Sequence, residues 1–390
     1  MGFERVLIVG AGPAGLATAR AYREHGGSGA VTLIGEEPLA PYRRPPLTKE
    51  FLRGELDARE LPIERLDWFD TQGIALRLGT RVETIAPRHD GVALAGGEEL
   101  RADAIVLATG SEPLRPPIPG AEDERVLTIR RLPDSRAIAA HARAGEHVVV
   151  IGTGFIGCEL SASLALKGAE VTLIGQERLP QLERLGADAA ERIAAWLAEL
   201  GVELRMAASV AAIEEGRLVA LEDGSRFAAS VVVLAAGVRP RGELAESAGL
   251  ATHDGAVVVD EEMRSAGEGT VLAVGDLAFA HNASAGRHLR VEHWGDALGH
   301  GLVAGGTLAG AARGWGEVPG FWSSIGARTL KYAAWGDGHD ETRLSTTGDA
   351  GGSFAVHYLR DGATVGVLTH GRDDVYEQGR ELILQGEPPR

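Results

Sequence analysis

The strongest constraint on how this chain can fold is a supersecondary pattern that it carries twice. Near the N-terminus the apolar run Arg5-Val-Leu-Ile-Val9 leads into Gly10-Ala-Gly12-Pro-Ala-Gly15, then a helical stretch to about His25, then a second run, Val31-Thr-Leu-Ile-Gly35. The pattern returns 142 positions later as His147-Val-Val-Val-Ile151, Gly152-Thr-Gly154-Phe-Ile-Gly157, a helical stretch, and Val171-Thr-Leu-Ile-Gly175. A third run closes each unit: Ala104-Ile-Val-Leu-Ala-Thr-Gly110 and Val231-Val-Val-Leu-Ala-Ala-Gly237. Short apolar runs alternating with helical segments predict parallel sheets in α/β domains. In Gly-x-Gly-x-x-Gly the first glycine makes the tight turn. The second lets backbone approach a pyrophosphate, and the third lets helix pack on strand. The helix N-terminus then offers free N–H groups and its positive dipole end to phosphate. Two such fingerprints, each between a strand and a helix, predict two dinucleotide-binding modules.

The copies differ where a ribose is read. A carboxylate near the end of the second strand accepts hydrogen bonds from ribose hydroxyls. The first copy supplies Glu36; the second has Gly175 and Gln176 there, followed by Glu177 and Arg178. The second module reads as an insertion in the first. Pro-rich connectors, Glu112–Gly120 and Val238–Gly242, flank it, and Thr270-Val-Leu-Ala-Val-Gly-Asp276 resumes the first module with a strand ending in Gly-Asp. After Pro319, Thr329–Trp335, Ser353–Leu359 and Thr364–Thr369 read as antiparallel strands, with Asp361-Gly362 a favoured hairpin turn and Asp373–Gln385 a helix. The expected fold is therefore α/β: two Rossmann-like domains, the second inserted in the first, and a C-terminal α+β domain with an antiparallel sheet. The expected divisions are 1–117 with 242–320, then 118–241, then 321–390.

Composition removes several function classes. A single cysteine, Cys158, excludes an internal disulfide and any Cys-x-x-Cys centre. At the start of the second module's helix it reads as a small core residue. A net charge of −16 argues against sequence-independent nucleic-acid binding. The apolar runs are far shorter than a membrane span, and the Val6–Val9 run opens a glycine turn rather than a signal peptide, so the expected location is cytoplasmic. The twelve histidines show no metal-ligand spacing.

With these elements in place, the chain resembles the FAD-dependent ferredoxin reductases that serve Rieske dioxygenases and bacterial cytochromes P450. Apoptosis-inducing-factor-like flavoproteins share that architecture. The marker is Pro41-Tyr-Arg-Arg-Pro-Pro-Leu-Thr-Lys49, similar to the family's Tyr-x-Arg-Pro-Pro-Leu-Ser-Lys loop. Arg130 in Ile129-Arg-Arg-Leu-Pro-Asp134, Glu159, Gly275-Asp276 and Glu292-His-Trp294 also match, and the resemblance spans residues 4–385.

The resemblance implies that the first module holds FAD and the second NAD(P)H. It places FAD against Gly10, Gly12 and Gly15, with Glu36 on the adenosine ribose and Ala14 and Val82 in contact largely through backbone. Arg44 and Arg130 would touch FAD, Asp276 its ribitol chain, and Glu292-His-Trp294 would bring Trp294 beside the flavin. Thr109 and Gly110 would line the approach of the two cofactors. On the nicotinamide side the candidates are Gly152, Gly154, Ile156, Gly157, Glu177 and Gly237. Lys49, with Glu159 as ion partner, would stand by flavin N5, where a fixed ammonium stabilises negative charge developing during hydride transfer. Trp322 has two open readings, a flavin-side aromatic and a core aromatic opening the last domain.

The implied activity is FAD-dependent transfer of hydride from NADH, or NADPH, with electrons then passed singly to a small iron–sulfur protein, a [2Fe-2S] ferredoxin. The alternatives are a rubredoxin-, nitrite-reductase- or small-molecule-linked reductase, and a nucleotide-regulated binding protein of the apoptosis-inducing-factor type.

Overall fold

The computed structural model describes residues 3–267, 270–311, 313–347 and 352–389. The chain forms two compact units. One comprises residues through Arg43, Pro62–Glu112 and Arg239–Gly320; the other comprises Arg44–Leu61, Pro113–Val238 and Phe321 onward.

The first unit is built on a five-stranded parallel sheet in the order Val271–Ala273, Ala104–Leu107, Arg5–Val9, Ala30–Gly35, Ile74–Leu78. Arg5 is exposed, but the next four residues and all of Ala104–Leu107 are buried, as expected for strands covered on both faces. Gly10 leaves the first strand at φ +123°, and a Cβ there would lie 2.1 Å from the Ala108 carbonyl oxygen. Only glycine makes this turn. The helix Pro13–Glu24 follows and packs against a late helix, Trp294–Leu308. Gly301 and Gly305 allow that approach: a Cβ at 301 would sit 2.5 Å from Ala14 O, and one at 305 2.5 Å from the Ala21 Cβ.

The second unit repeats the plan. Its parallel sheet runs Glu203–Arg205, Glu170–Ile174, His147–Ile151, Val231–Leu234, Val126–Thr128. The two central pairings have the same register logic as in the first unit: Val9 pairs with Ile34 and Leu107, and Ile151 with Ile174 and Leu234. A small antiparallel sheet of three strands accompanies each repeat: Val82–Ile85, Gly91–Leu94 and Glu99–Arg101 in the first, Val210–Glu214, Leu218–Leu221 and Arg226–Ala228 in the second.

The C-terminal sheet has five strands, ordered Gly320–Ile325, Arg328–Ala334, Ala363–His370, Phe354–Arg360, Glu341–Thr346. Three match the sequence reading to within one residue, and the helix Asp373–Gln385 matches it fully. Asp361 and Gly362 both have positive φ, +51° and +80°, as a two-residue hairpin turn demands. Gly320–Ile325 and Glu341–Thr346 are strands that the sequence reading did not anticipate. The second of these is an edge strand with no buried residue, so it lacks the apolar alternation that marks a strand.

Candidate functional site: two dinucleotide cradles and a buried ion pair

Both glycine turns are shaped for a dinucleotide. In the first unit a Cβ at Gly15 would lie 2.1 Å from Gly10 O, whereas one at Gly12 would meet nothing within 4 Å. The turn is thus packed behind and open in front. Gly12 caps the helix Pro13–Glu24 without any side-chain hydrogen bond, and Pro13 occupies the first turn. The first-turn amides and the dipole are left to an outside anion. In the second unit Gly152 has φ +113°, and a Cβ at Gly157 would lie 1.9 Å from Gly152 O. Gly154 caps Phe155–Leu166, again without a side-chain bond. Ala14 and Ile156 hold equivalent places in the two turns, Ala14 buried and Ile156 47% exposed.

In the first unit, Glu36 follows the strand Ala30–Gly35, and its carboxylate is held by Arg241 at 2.9 Å and Arg81 at 3.5 Å. Arg241 is fixed in turn by its own backbone, whose carbonyl accepts from Thr109 Oγ1 at 2.8 Å. Gly110 continues with φ +68°. Val82 begins its strand, buried. Asp276 sits in a 3-10 turn, Gly275–Leu277, directly after the strand Val271–Ala273. It is buried and accepts a 2.6 Å bond from Ser111 Oγ. Glu292 is exposed and paired with Arg290, and Trp294 opens the helix Trp294–Leu308, half-buried.

In the second unit, Arg44 Nη1 donates to Arg130 O at 3.0 Å, and Arg130 N donates to Asp134 at 2.9 Å. The segment Arg44–Leu61 packs on the helices Leu132–His141 and Phe155–Leu166. That packing brings Lys49 to Glu159, Nζ to Oε2 at 2.7 Å, with the two side chains 8% and 4% exposed. Thr48 Oγ1 donates to the same oxygen at 2.7 Å. Ser323 Oγ and Ser324 N donate to Oε1 at 2.8 Å and 3.2 Å. The buried carboxylate is therefore fully solvated by protein, as a buried charge must be. Thr48 and Ser323 were missed by the sequence reading. Ser323 adjoins the candidate Trp322, which is the signal in the sequence that lay nearest to it. Trp322 itself is 43% exposed and so is not a core aromatic of the last sheet.

The end of the second strand in this module is built differently from Glu36. A Cβ at Gly175 would lie 2.4 Å from the Thr153 methyl, so that side chain fills the space. The Glu177 carboxylate accepts from the Glu183 amide at 2.9 Å, while Gln176 and Arg178 are exposed. Gly237, with φ +102°, accepts from the Leu114 amide at 2.9 Å. Cys158 is buried, and burial, followed by the charges of Glu159 and Glu177, pushes its thiol well above the usual range. It is a packing residue rather than a nucleophile. Among the described residues no His, Cys, Asp and Glu group is arranged to hold a metal, and no helix is long and apolar enough to cross a membrane.

Residues 4–301 match the family model described as pyridine nucleotide-disulphide oxidoreductase. The chain belongs to that family. Within it, the similarity is to ferredoxin reductases of oxygenase systems. The ferredoxin–NAD(+) reductase component of the anthranilate 1,2-dioxygenase system of Burkholderia cepacia is 34% identical, over 100% of this chain and 96% of that protein. A rubredoxin-NAD(+) reductase of Pseudomonas putida is 30% identical over 84% and 85%. The reductase in the crystal structure of the covalent putidaredoxin reductase–putidaredoxin complex superposes with a TM-score of 0.92, at 30% identity, over 100% of this chain and 94% of that one.

Proposed function

We propose that the protein is an FAD-dependent ferredoxin–NAD(P)(+) reductase that takes hydride from NAD(P)H and delivers electrons singly to a [2Fe-2S] ferredoxin of an oxygenase system. The observation that carries this reading is the combination of two dinucleotide cradles with a single, buried cysteine. Electrons that enter from a pyridine nucleotide have no internal disulfide to reduce, so they leave to an external acceptor. FAD, when bound, supplies the conversion from two-electron uptake to one-electron release.

The protein's own residues bind and orient. The unit with Gly10, Gly12 and Gly15 is the FAD module. There Glu36 accepts from the adenosine ribose, its carboxylate pre-aligned by Arg241, and Asp276 accepts from the ribitol chain. Arg44 and Arg130 supply further cation contacts to FAD. Trp294, Trp322, Val82, Thr109 and Gly110 shape its surroundings. Gly152, Gly154, Ile156, Gly157, Glu177 and Gly237 belong to the NAD(P)H side. Lys49 holds a fixed positive charge where negative charge develops, and Glu159 keeps that ammonium compatible with burial. A cytoplasmic location fits a protein that draws on the NAD(P)H pool.

The test is a reductase assay with purified protein, NADH and a panel of small iron–sulfur proteins. Rapid reoxidation by [2Fe-2S] ferredoxins is the expected result. Exclusive reoxidation by rubredoxins would favour the second reading, which the rubredoxin-linked relative supports. Reduction of none of them would remove the proposal.

A further inference from the structure

The Glu159 carboxylate is pinned at both oxygens, and the two sets of donors come from distant parts of the sequence. Oε2 takes Lys49 Nζ and Thr48 Oγ1 from the loop 45–49. Oε1 takes Ser323 Oγ and Ser324 N from the strand Gly320–Ile325. A carboxylate held at one oxygen only can rotate about its last bond and offer its partner either oxygen over a range of directions. Two donors on Oε1 stop that rotation and leave Oε2 facing the lysine. Ser323 is 1% exposed, its hydroxyl lies 2.8 Å from Oε1, and its bond is shorter than the amide's at 3.2 Å.

We propose that Ser323 is a positioning residue for Lys49: through Glu159 its hydroxyl fixes the direction in which the ammonium points. The proposal rests on the reading of Lys49 and Glu159 as the working pair. Thr48 shares Oε2 with the lysine, so its loss leaves the carboxylate plane fixed and has the smaller effect. A strand of the C-terminal sheet thereby sets the orientation of a charge carried by a loop more than 270 positions earlier.

Ser323→Ala tests this in the FAD-loaded protein. Transient reduction of the bound flavin at saturating NADH should slow about tenfold, as for loss of one hydrogen bond to a charged group. The NADH dissociation constant should stay unchanged, and Ser323→Thr should restore the rate. A second readout needs no turnover. The chain has only three lysines, Lys49, Lys167 and Lys331, so acylation by acetic anhydride can be mapped with two internal references. Released from its fixed direction, Lys49 should acylate several-fold faster in Ser323→Ala than in the parent.

Lys49→Met in the same assay separates the two ideas. If Lys49→Met reduces as fast as the parent, the working-pair reading fails. If Lys49→Met is slow while Ser323→Ala matches the parent in both rate and labelling, the Ser323 proposal alone is overturned. Should Ser323→Ala not retain FAD, Ser323→Val and Ser323→Thr pose the question at equal bulk. A valine variant as fast as the threonine one overturns the proposal.

Discussion

Ser111 Oγ donates a 2.6 Å hydrogen bond to Asp276 Oδ2, and both residues are buried although 165 positions separate them. The serine leaves the strand-end Ala-Thr-Gly segment and the aspartate leaves the neighbouring parallel strand, so the bond ties two strand ends together. It holds the Asp276 carboxylate in one orientation. Asp276→Ala should therefore lower FAD affinity by about 1.5–3 kcal/mol, the range for hydrogen bonds to charged groups, and Ser111→Ala by less. Flavin-to-protein ratios after dialysis, read from the visible spectrum, check this. Full flavin occupancy in Asp276→Ala would contradict the assignment of its role.

Lys49→Met should keep FAD bound and slow its reduction by NADH, by about 2–4 kcal/mol in the barrier. The melting temperature should fall, because Glu159 loses its buried ion partner, while Thr48, Ser323 and Ser324 still donate to it and keep the folded state attainable. Stopped-flow reduction together with a thermal melt measures both parts. Unchanged reduction kinetics would return Lys49 to an ordinary structural ion pair.

Coenzyme choice should be loose. The carboxylate nearest the end of the second strand, Glu177, is occupied by the Glu183 amide, and Gly175 has its side-chain space filled by Thr153. With the strand end occupied by Gly175 and the nearest carboxylate turned to its own chain, the repulsive part of NADH selectivity is weakened. We expect kcat/KM for NADH to exceed that for NADPH by less than about tenfold, or 1.4 kcal/mol. A thousandfold difference in either direction would place the discriminator outside this loop.

Acid should destabilise the first unit through His300. Its ring is fully buried edge-on to Trp315, at 4.4 Å between centroids, and neither nitrogen has a well-formed hydrogen bond. Burial lowers its pKa to about 4, although Asp296, Asp276 and the nearby Gly275 backbone act in the other direction. Below the unfolded value of about 6.5 the unfolded chain takes up a proton that the folded chain refuses. Stability is therefore full above that value and falls as pH drops towards 4. Between pH 7 and pH 5 the loss from this one group should be about 2 kcal/mol. Denaturant melts of His300→Gln should show that much less acid sensitivity than the parent. Equal sensitivity in the two proteins would mean that the ring titrates normally.

The repeated module was legible because its signals are local. The Gly10 and Gly152 turns, the strands that precede them and the closing runs at Ala104 and Val231 can all be read from stretches of ten residues. The candidate site was legible in part. Lys49 and Glu159 stood out by resemblance, and Asp276 by its place at a strand end. Ser111 and Ser323 did not, because their partners lie 165 and 164 positions away and serine carries no pattern of its own. Glu177 illustrates a different limit. The sequence puts it among the nicotinamide-side candidates, but the direction its carboxylate takes, here towards the Glu183 amide, depends on backbone geometry that no motif encodes. The edge strand Glu341–Thr346 was invisible for want of a buried face.

The close fit of Gly301 and Gly305 against Ala14, Ala17, Thr18 and Ala21 has a consequence for the order of events during synthesis. The helix that carries the first fingerprint is translated well before its cover, which is complete only at Leu308, roughly 280 residues later. At about 5–20 residues per second the wait is roughly 15–60 s. Throughout that interval the apolar flank of Pro13–Glu24 has no native cover, while every strand of the second unit's parallel sheet, all between Val126 and Leu234, has been made. The first dinucleotide cradle to be translated is thus finished after the parallel sheet that carries the second, and a nascent chain halted before Leu308 would hold that sheet complete while the first helix still lacked its cover.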